Sequence, residues 1–124
     1  MIFPKPLPPE GFPIAVRASF TVFKRFPLLA VASNNLAPRL ILFEDGLEHR
    51  VITTQRHLYG NIEQIDARQS FATHSIIFNW RDGPFAFSAN VGAVESQLSL
   101  LIFFAGRHVP ISARARKIMQ ESRS

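Results

Sequence analysis

The side chains that could do chemistry fall into four groups. Glu44, Asp45, Glu48 and His49 crowd into six positions, and carboxylate oxygens beside an imidazole are a donor set for a metal ion. Side chains alternate between faces along a strand, however, and that reads the same four as solvated residues of a hairpin. Ser75 follows His74, but neighbours on a strand point to opposite faces. With no Gly-x-Ser-x-Gly elbow in the chain, nothing sets a base against a nucleophile. The aromatics from Phe71 to Phe87, with Trp80 among them, suggest a stacking platform for bases. Phe78, Trp80, Phe85 and Phe87 nevertheless recur at in-facing spacing without interleaved arginines, which assigns them to a core. The fourth group is basic: Arg17, Lys24 and Arg25 early in the chain, and Arg114, Arg116 and Lys117 late in it, are the candidates for holding an anion.

Charge is uneven along the chain. Residues 1–106 carry nine Lys and Arg against eight Asp and Glu, whereas residues 107–124 carry five against Glu121 alone. The net charge of +5 is therefore mainly that of a basic tail, which reads as a solvated helix face or as an attraction for phosphate. Cysteine is absent, which excludes disulfides, thiolate metal sites and cysteine nucleophiles. The strongest apolar stretch, Leu98 to Ala105, is far short of the roughly 20 residues a membrane-spanning helix needs. The N-terminus lacks the pattern of a secretory signal. A soluble, cytoplasmic chain of 124 residues, large enough for one core, is the expectation.

The elements that must position these groups follow from period and punctuation. Pro4, Pro6, Pro8, Pro9 and Pro13 make residues 1–14 an extended arm, neither strand nor helix. Val16, Ala18, Phe20 and Val22 alternate with polar residues as a half-buried strand does. A second strand is expected over Leu28 to Ser33, a turn at Ser33-Asn34-Asn35, and a third strand over Arg39 to Glu44. Asp45-Gly46 predicts a hairpin leading into Leu47 to Thr53, glycine accepting the positive φ of a primed turn. One short strand bent at Gly60 is expected within 57–67, with Tyr59, Ile62 and Ile65 reaching the core. His74, Ile76, Phe78 and Trp80, then Phe85, Phe87 and Ala89, form a second hairpin around Asp82-Gly83.

After Asn90 the period becomes helical. Val94, Leu98, Leu101, Ile102 and Ala105 fall on one face, with Asn90 as N-cap and Gly106 as the stop. Ile111, Ala115, Ile118 and Met119 predict a second, basic helix capped by Ser112.

The order of these elements resembles that of pleckstrin-homology-like domains, particularly the short bacterial kind. The resemblance is carried by Leu40-Ile41-Leu42-Phe43-Glu44-Asp45-Gly46-Leu47-Glu48, by Tyr59-Gly60-Asn61-Ile62-Glu63-Gln64-Ile65-Asp66, by Ile76-Ile77-Phe78, and by the strand from Phe85 to Asn90 entering the helix. It covers residues 15–106, leaving the proline-rich arm (1–14) and the basic tail (107–124) outside. It implies a mainly β fold, a barrel of two antiparallel sheets packed nearly at right angles and capped by a C-terminal helix, serving as a binding module. Members that bind phosphoinositides place basic residues on the first two strands and their joining loop, the region of Lys24 and Arg25 with Arg17 further back.

The projection of the first helix leaves Leu100 and Phe103 away from its apolar stripe, a grouped pair that marks a partner surface. The sequence thus predicts a non-catalytic module for protein association, homo-oligomerisation included. Binding of an anionic lipid or phosphoinositide headgroup is the alternative. No cofactor, metal or nucleic acid is expected.

Overall fold

The computed structural model describes residues 2–24, 30–34, 38–70 and 73–122. Among them, alternating apolar positions build nine strands in two antiparallel sheets. β1 (Phe12–Pro13), β4 (Arg39–Leu42), β5 (Gly46–Arg50) and β6 (Thr54–Leu58) form one sheet in the order β1-β4-β5-β6. β2 (Ala18–Phe23), β3 (Ala30–Asn34), β7 (Ile62–Ser70), β8 (Thr73–Trp80) and β9 (Phe85–Asn90) form the other in the order β3-β2-β9-β8-β7. Two C-terminal helices follow, α1 (Val94–Gly106) and α2 (Ala113–Glu121). Leu40, Leu42 and Leu47 of the first sheet face Ile65, Ile76, Phe78 and Phe87 of the second, all buried in one core. A smaller cluster of Val22, Ile77 and Ala86 forms separately from it. The Ser19 hydroxyl donates to the Arg50 carbonyl at 2.7 Å, joining β2 to β5 across the sheets.

Several expectations need local correction. The arm is not free of strand: Phe12 and Pro13 pair with Leu42 and Ile41, and Leu7 and Ile14 enter the main core. The β4–β5 hairpin turns one residue earlier than Asp45-Gly46, because the Phe43 amide donates to the Gly46 carbonyl and leaves Glu44-Asp45 at the tip. Gly46 is not among the positive-φ glycines. It is required for space instead, since a Cβ there would stand 2.2 Å from the His57 carbonyl oxygen. At the second hairpin Gly83 does take φ +77°, the left-handed conformation expected of it. The region after residue 53 holds two strands, β6 and the nine-residue β7, joined by a 3-10 turn over Tyr59–Asn61 that supplies the bend at Gly60. Asn34 ends β3, while Arg25, Leu28, Asn35 and Phe71 lie outside the described residues.

The orientation of α1 differs most. Leu100, Leu101, Phe103 and Phe104 are buried, whereas Val94 and Ile102 of the expected core stripe are 40% and 54% exposed. Leu100 and Phe103 are therefore not an exposed surface. Phe103 is boxed in by Phe3 of the arm (ring centroids 4.7 Å apart), by Phe104, and by the Arg107 guanidinium 3.9 Å over its ring. The physical reason is Gln97, a fully buried polar side chain. Its amide donates to the carbonyls of Arg68 (3.1 Å) and Ser75 (2.9 Å) and accepts from Gln69 (2.9 Å). That pins positions 97, 100, 101 and 104 to the sheet, one helical face. The N-cap is Ala93 without a side-chain bond, because the Asn90 side chain instead accepts from the Gly92 amide.

α2 follows expectation more closely. Ser112 caps it by accepting from the Ala115 amide, and Ala115 is buried with Ile118 and Met119 packed against the core. Pro110 to Ser112 add a parallel bridge on the outer side of β7, through Ile65 and Ile111. No described helix is long and apolar enough to cross a membrane.

Candidate functional site

α1 closes one opening of the space between the sheets. A cleft of about 600 Å³ lies at another, flanked by the β5–β6 turn (Val51, Ile52, Thr53) and the β8–β9 turn (Asp82, Gly83). Its walls come from alternation. Leu47, His49 and Val51 share a face of β5 and its extension, and all three are buried. His49 pairs with Gln55 and Leu47 with His57, so Gln55 and His57 of β6 look the same way. From the opposite sheet come Trp80, the last residue of β8, and Phe87, which pairs with Phe78.

The two walls meet ring on ring. His57 stacks on Trp80 with centroids 3.9 Å apart and planes 8° apart, His49 stacks on Phe87 at 4.4 Å, and the two imidazoles lie 5.1 Å apart at 9°. Phe85 shares the inner face with Phe87, yet it stands at the mouth and is 42% exposed, with Phe23 5.4 Å away. The expectation of a core position therefore fails for Phe85 and holds for Phe78, Trp80 and Phe87.

His49 is also not the solvated hairpin residue that the sequence suggests, being only 6% exposed. The reason is register: Glu48 points out to its ion pair with Arg39, and the next residue must point in. Neither ring nitrogen of His49 has a hydrogen-bond partner, and neither does Nε2 of His57. Burial holds the His49 pKa at about 3, with the His57 charge acting in the same direction. Burial also lowers His57, with Asp82 opposing. Both rings are thus neutral at pH 7. Unpaired buried polar atoms of this kind cost on the order of 1–3 kcal/mol each.

The arrangement does not suit a metal. A metal lies in the plane of each imidazole that binds it, and two stacked, near-parallel rings offer no common point. The carboxylates that the sequence groups with His49 are dispersed. Glu44 accepts from the Leu7 amide and pairs with Arg107, and Asp45 pairs with Arg56. Among the described residues no group of three metal-ligating side chains occurs. His74 uses Nδ1 on the Gly92 carbonyl, while the backbone of Ser75 serves Gln97.

The basic candidates are not gathered. Arg17 lies against Gly92 before β2, and Lys24 follows the other end of that strand, its amide on the Pro84 carbonyl. At about 3.3 Å per residue they are roughly 20 Å apart. Arg114, Arg116 and Lys117 are exposed on α2, which packs on β7, three strands away from β2. Arg25 lies outside the described residues.

Sequence reasoning missed His57 and misplaced His49. The available signal was the Leu47-x-His49-x-Val51 alternation, which marks His49 as in-facing. Comparison with models of known families, with characterised proteins and with solved structures finds no match.

Proposed function

We propose that the protein is a non-catalytic binding module, of the kind that the pleckstrin-homology-like resemblance implies, and that the inter-sheet cleft receives its ligand. One observation carries this reading: His49 is buried on the cleft wall with both ring nitrogens unpartnered. A core position tolerates that poorly, whereas a binding site uses it, because such groups orient a ligand in an otherwise apolar pocket. The cleft volume of about 600 Å³ falls in the range of roughly 300–1,000 Å³ usual for small-molecule sites. A binding role fits better than a catalytic one, since among the described residues neither imidazole hydrogen-bonds a hydroxyl or carboxylate that it could activate or be oriented by. Protein association through Leu100 and Phe103 draws no support from two buried side chains. An anionic-lipid site draws none from described cations divided between the two ends of β2 and the separate helix α2.

The test uses Trp80, the one tryptophan of the chain, as a built-in reporter. The uncharged dye N-phenyl-1-naphthylamine should bind saturably and quench Trp80 emission by energy transfer. Ala32→Phe, which adds a ring to the cleft wall, should abolish binding while leaving the circular dichroism spectrum unchanged. Binding that does not saturate, or that survives Ala32→Phe in a folded protein, would remove the cleft from consideration.

A further inference from the structure

Resting on that reading of the cleft, we infer that its occupant is an uncharged, flat ring system carrying a hydrogen-bond acceptor, a carbonyl oxygen or a pyridine-like nitrogen. Three features of the wall select that chemistry. The first is the proton on His57. The Asn61 side-chain nitrogen lies 2.9 Å from Nδ1 of His57, and an amide NH₂ only donates. In this orientation of the Asn61 amide Nδ1 accepts, and a neutral ring then carries its hydrogen on Nε2. Nε2 is a donor with no partner, so the group that completes it is an acceptor.

The second feature is charge. Among the described residues no lysine or arginine lines the cleft, and Asp82 at the rim is the one acidic side chain there. A buried anion would have no counter-charge there, and desolvating it unpaired is costly. A cation would meet the unpaired N–H of His57. The third is shape. His57 and Trp80 stack face to face, with the near-parallel His49 ring 5.1 Å from each and all three within 16° of one another, so a flat ring can lie along these faces where a branched aliphatic group cannot.

Water does not reach the unpartnered nitrogens in this arrangement. A ligand gains them by a shift of the imidazoles. Stacking alone holds the His49 ring, with no hydrogen bond to break, so such a shift is open to it.

The experiment compares probes of one shape on the unmodified chain. Quinoline offers a ring nitrogen, naphthalene has no polar atom, N-methylquinolinium is a cation and 2-naphthoate an anion. Binding is read at pH 7.5 from the NMR shifts of the Trp80 indole N–H and of the two imidazoles. Quinoline should bind about tenfold more tightly than naphthalene, the worth of one hydrogen bond to an otherwise unpaired donor, and more tightly than either charged probe. In His57→Phe that preference should disappear while naphthalene still binds.

Naphthalene binding as tightly as quinoline, or a charged probe binding best, would overturn the ligand class and leave the cleft as a site. If none of the four moves the Trp80 or imidazole signals, the cleft reading itself fails and takes the ligand class with it. The wild-type comparison decides the matter even where His57→Phe does not fold.

Discussion

Gln97 and His49 are both polar and both buried, yet they are treated oppositely by their surroundings. At the helix-covered opening, the Gln97 amide has two carbonyl acceptors and one amide donor. At the cleft, His49 has stacked rings on its faces and nothing on either nitrogen. A fully satisfied buried group fixes one arrangement of a core. An unsatisfied one is a cost that the fold does not need, and it is most readily understood where something from outside supplies the partner. The difference sets a satisfied end of the molecule against an unsatisfied one, and the unsatisfied end is the one we propose as the binding site.

That contrast can be broken at either end. The largest effect is expected at the helix. Phe104 is fully buried against Phe78, Tyr59 and Phe103, so Phe104→Ala should cost about 3–5 kcal/mol in urea unfolding. A loss below about 1 kcal/mol would mean that α1 does not seal the core.

Gln97→Leu comes next, expected at about 1–3 kcal/mol because the Arg68 and Ser75 carbonyls lose their donor. A stable Gln97→Leu protein would show that packing alone orients the helix.

Acid sharpens the comparison at the other end. His49 titrates near 3 when folded, against an ordinary 6.5, and His57 is lowered as well. As pH falls, the unfolded chain takes up these protons first. Their contribution is therefore whole above about pH 6.5 and is lost progressively as pH falls, for His49 on the order of 1 kcal/mol per pH unit toward pH 3, with His57 acting in the same direction. His49→Phe should flatten this loss. At pH 8 it should change stability by less than about 1 kcal/mol or raise it, since it removes unpaired polar atoms. Marked destabilisation at pH 8 would place His49 with Gln97 as a structural residue.

The smallest effect is expected at Ile102, on the outer face of α1. Ile102→Ser should stay within about 0.5 kcal/mol of the unmodified protein. A large loss there would restore the helix orientation that periodicity alone suggests.

Much of this architecture is legible in the residues themselves. Alternation around Phe20, Leu40 and Phe78 marks strands, Asp82-Gly83 marks a turn that only a positive φ allows, and Ser112 marks a helix start, because each signal depends on neighbours a few positions away. The α1 orientation is not legible in that way. Seven of the eight residues from Leu98 to Ala105 are apolar, so periodicity has almost no polar face against which to set a direction. What turns the helix is Gln97 finding carbonyls 22 and 29 positions back in the chain, and what covers Phe103 is Phe3, a hundred residues earlier.

The candidate site divides along the same line. By itself the sequence determined that His49 alternates with Glu48, and that Trp80 closes an in-facing run. Whether an in-facing imidazole is wet or dry depends on what the other sheet places over it, and only the tertiary structure set Trp80 on His57 and Phe87 on His49. A strand's side-chain direction is fixed by local backbone geometry, whereas its hydrogen-bond partners are fixed by whatever long-range packing brings within about 3 Å.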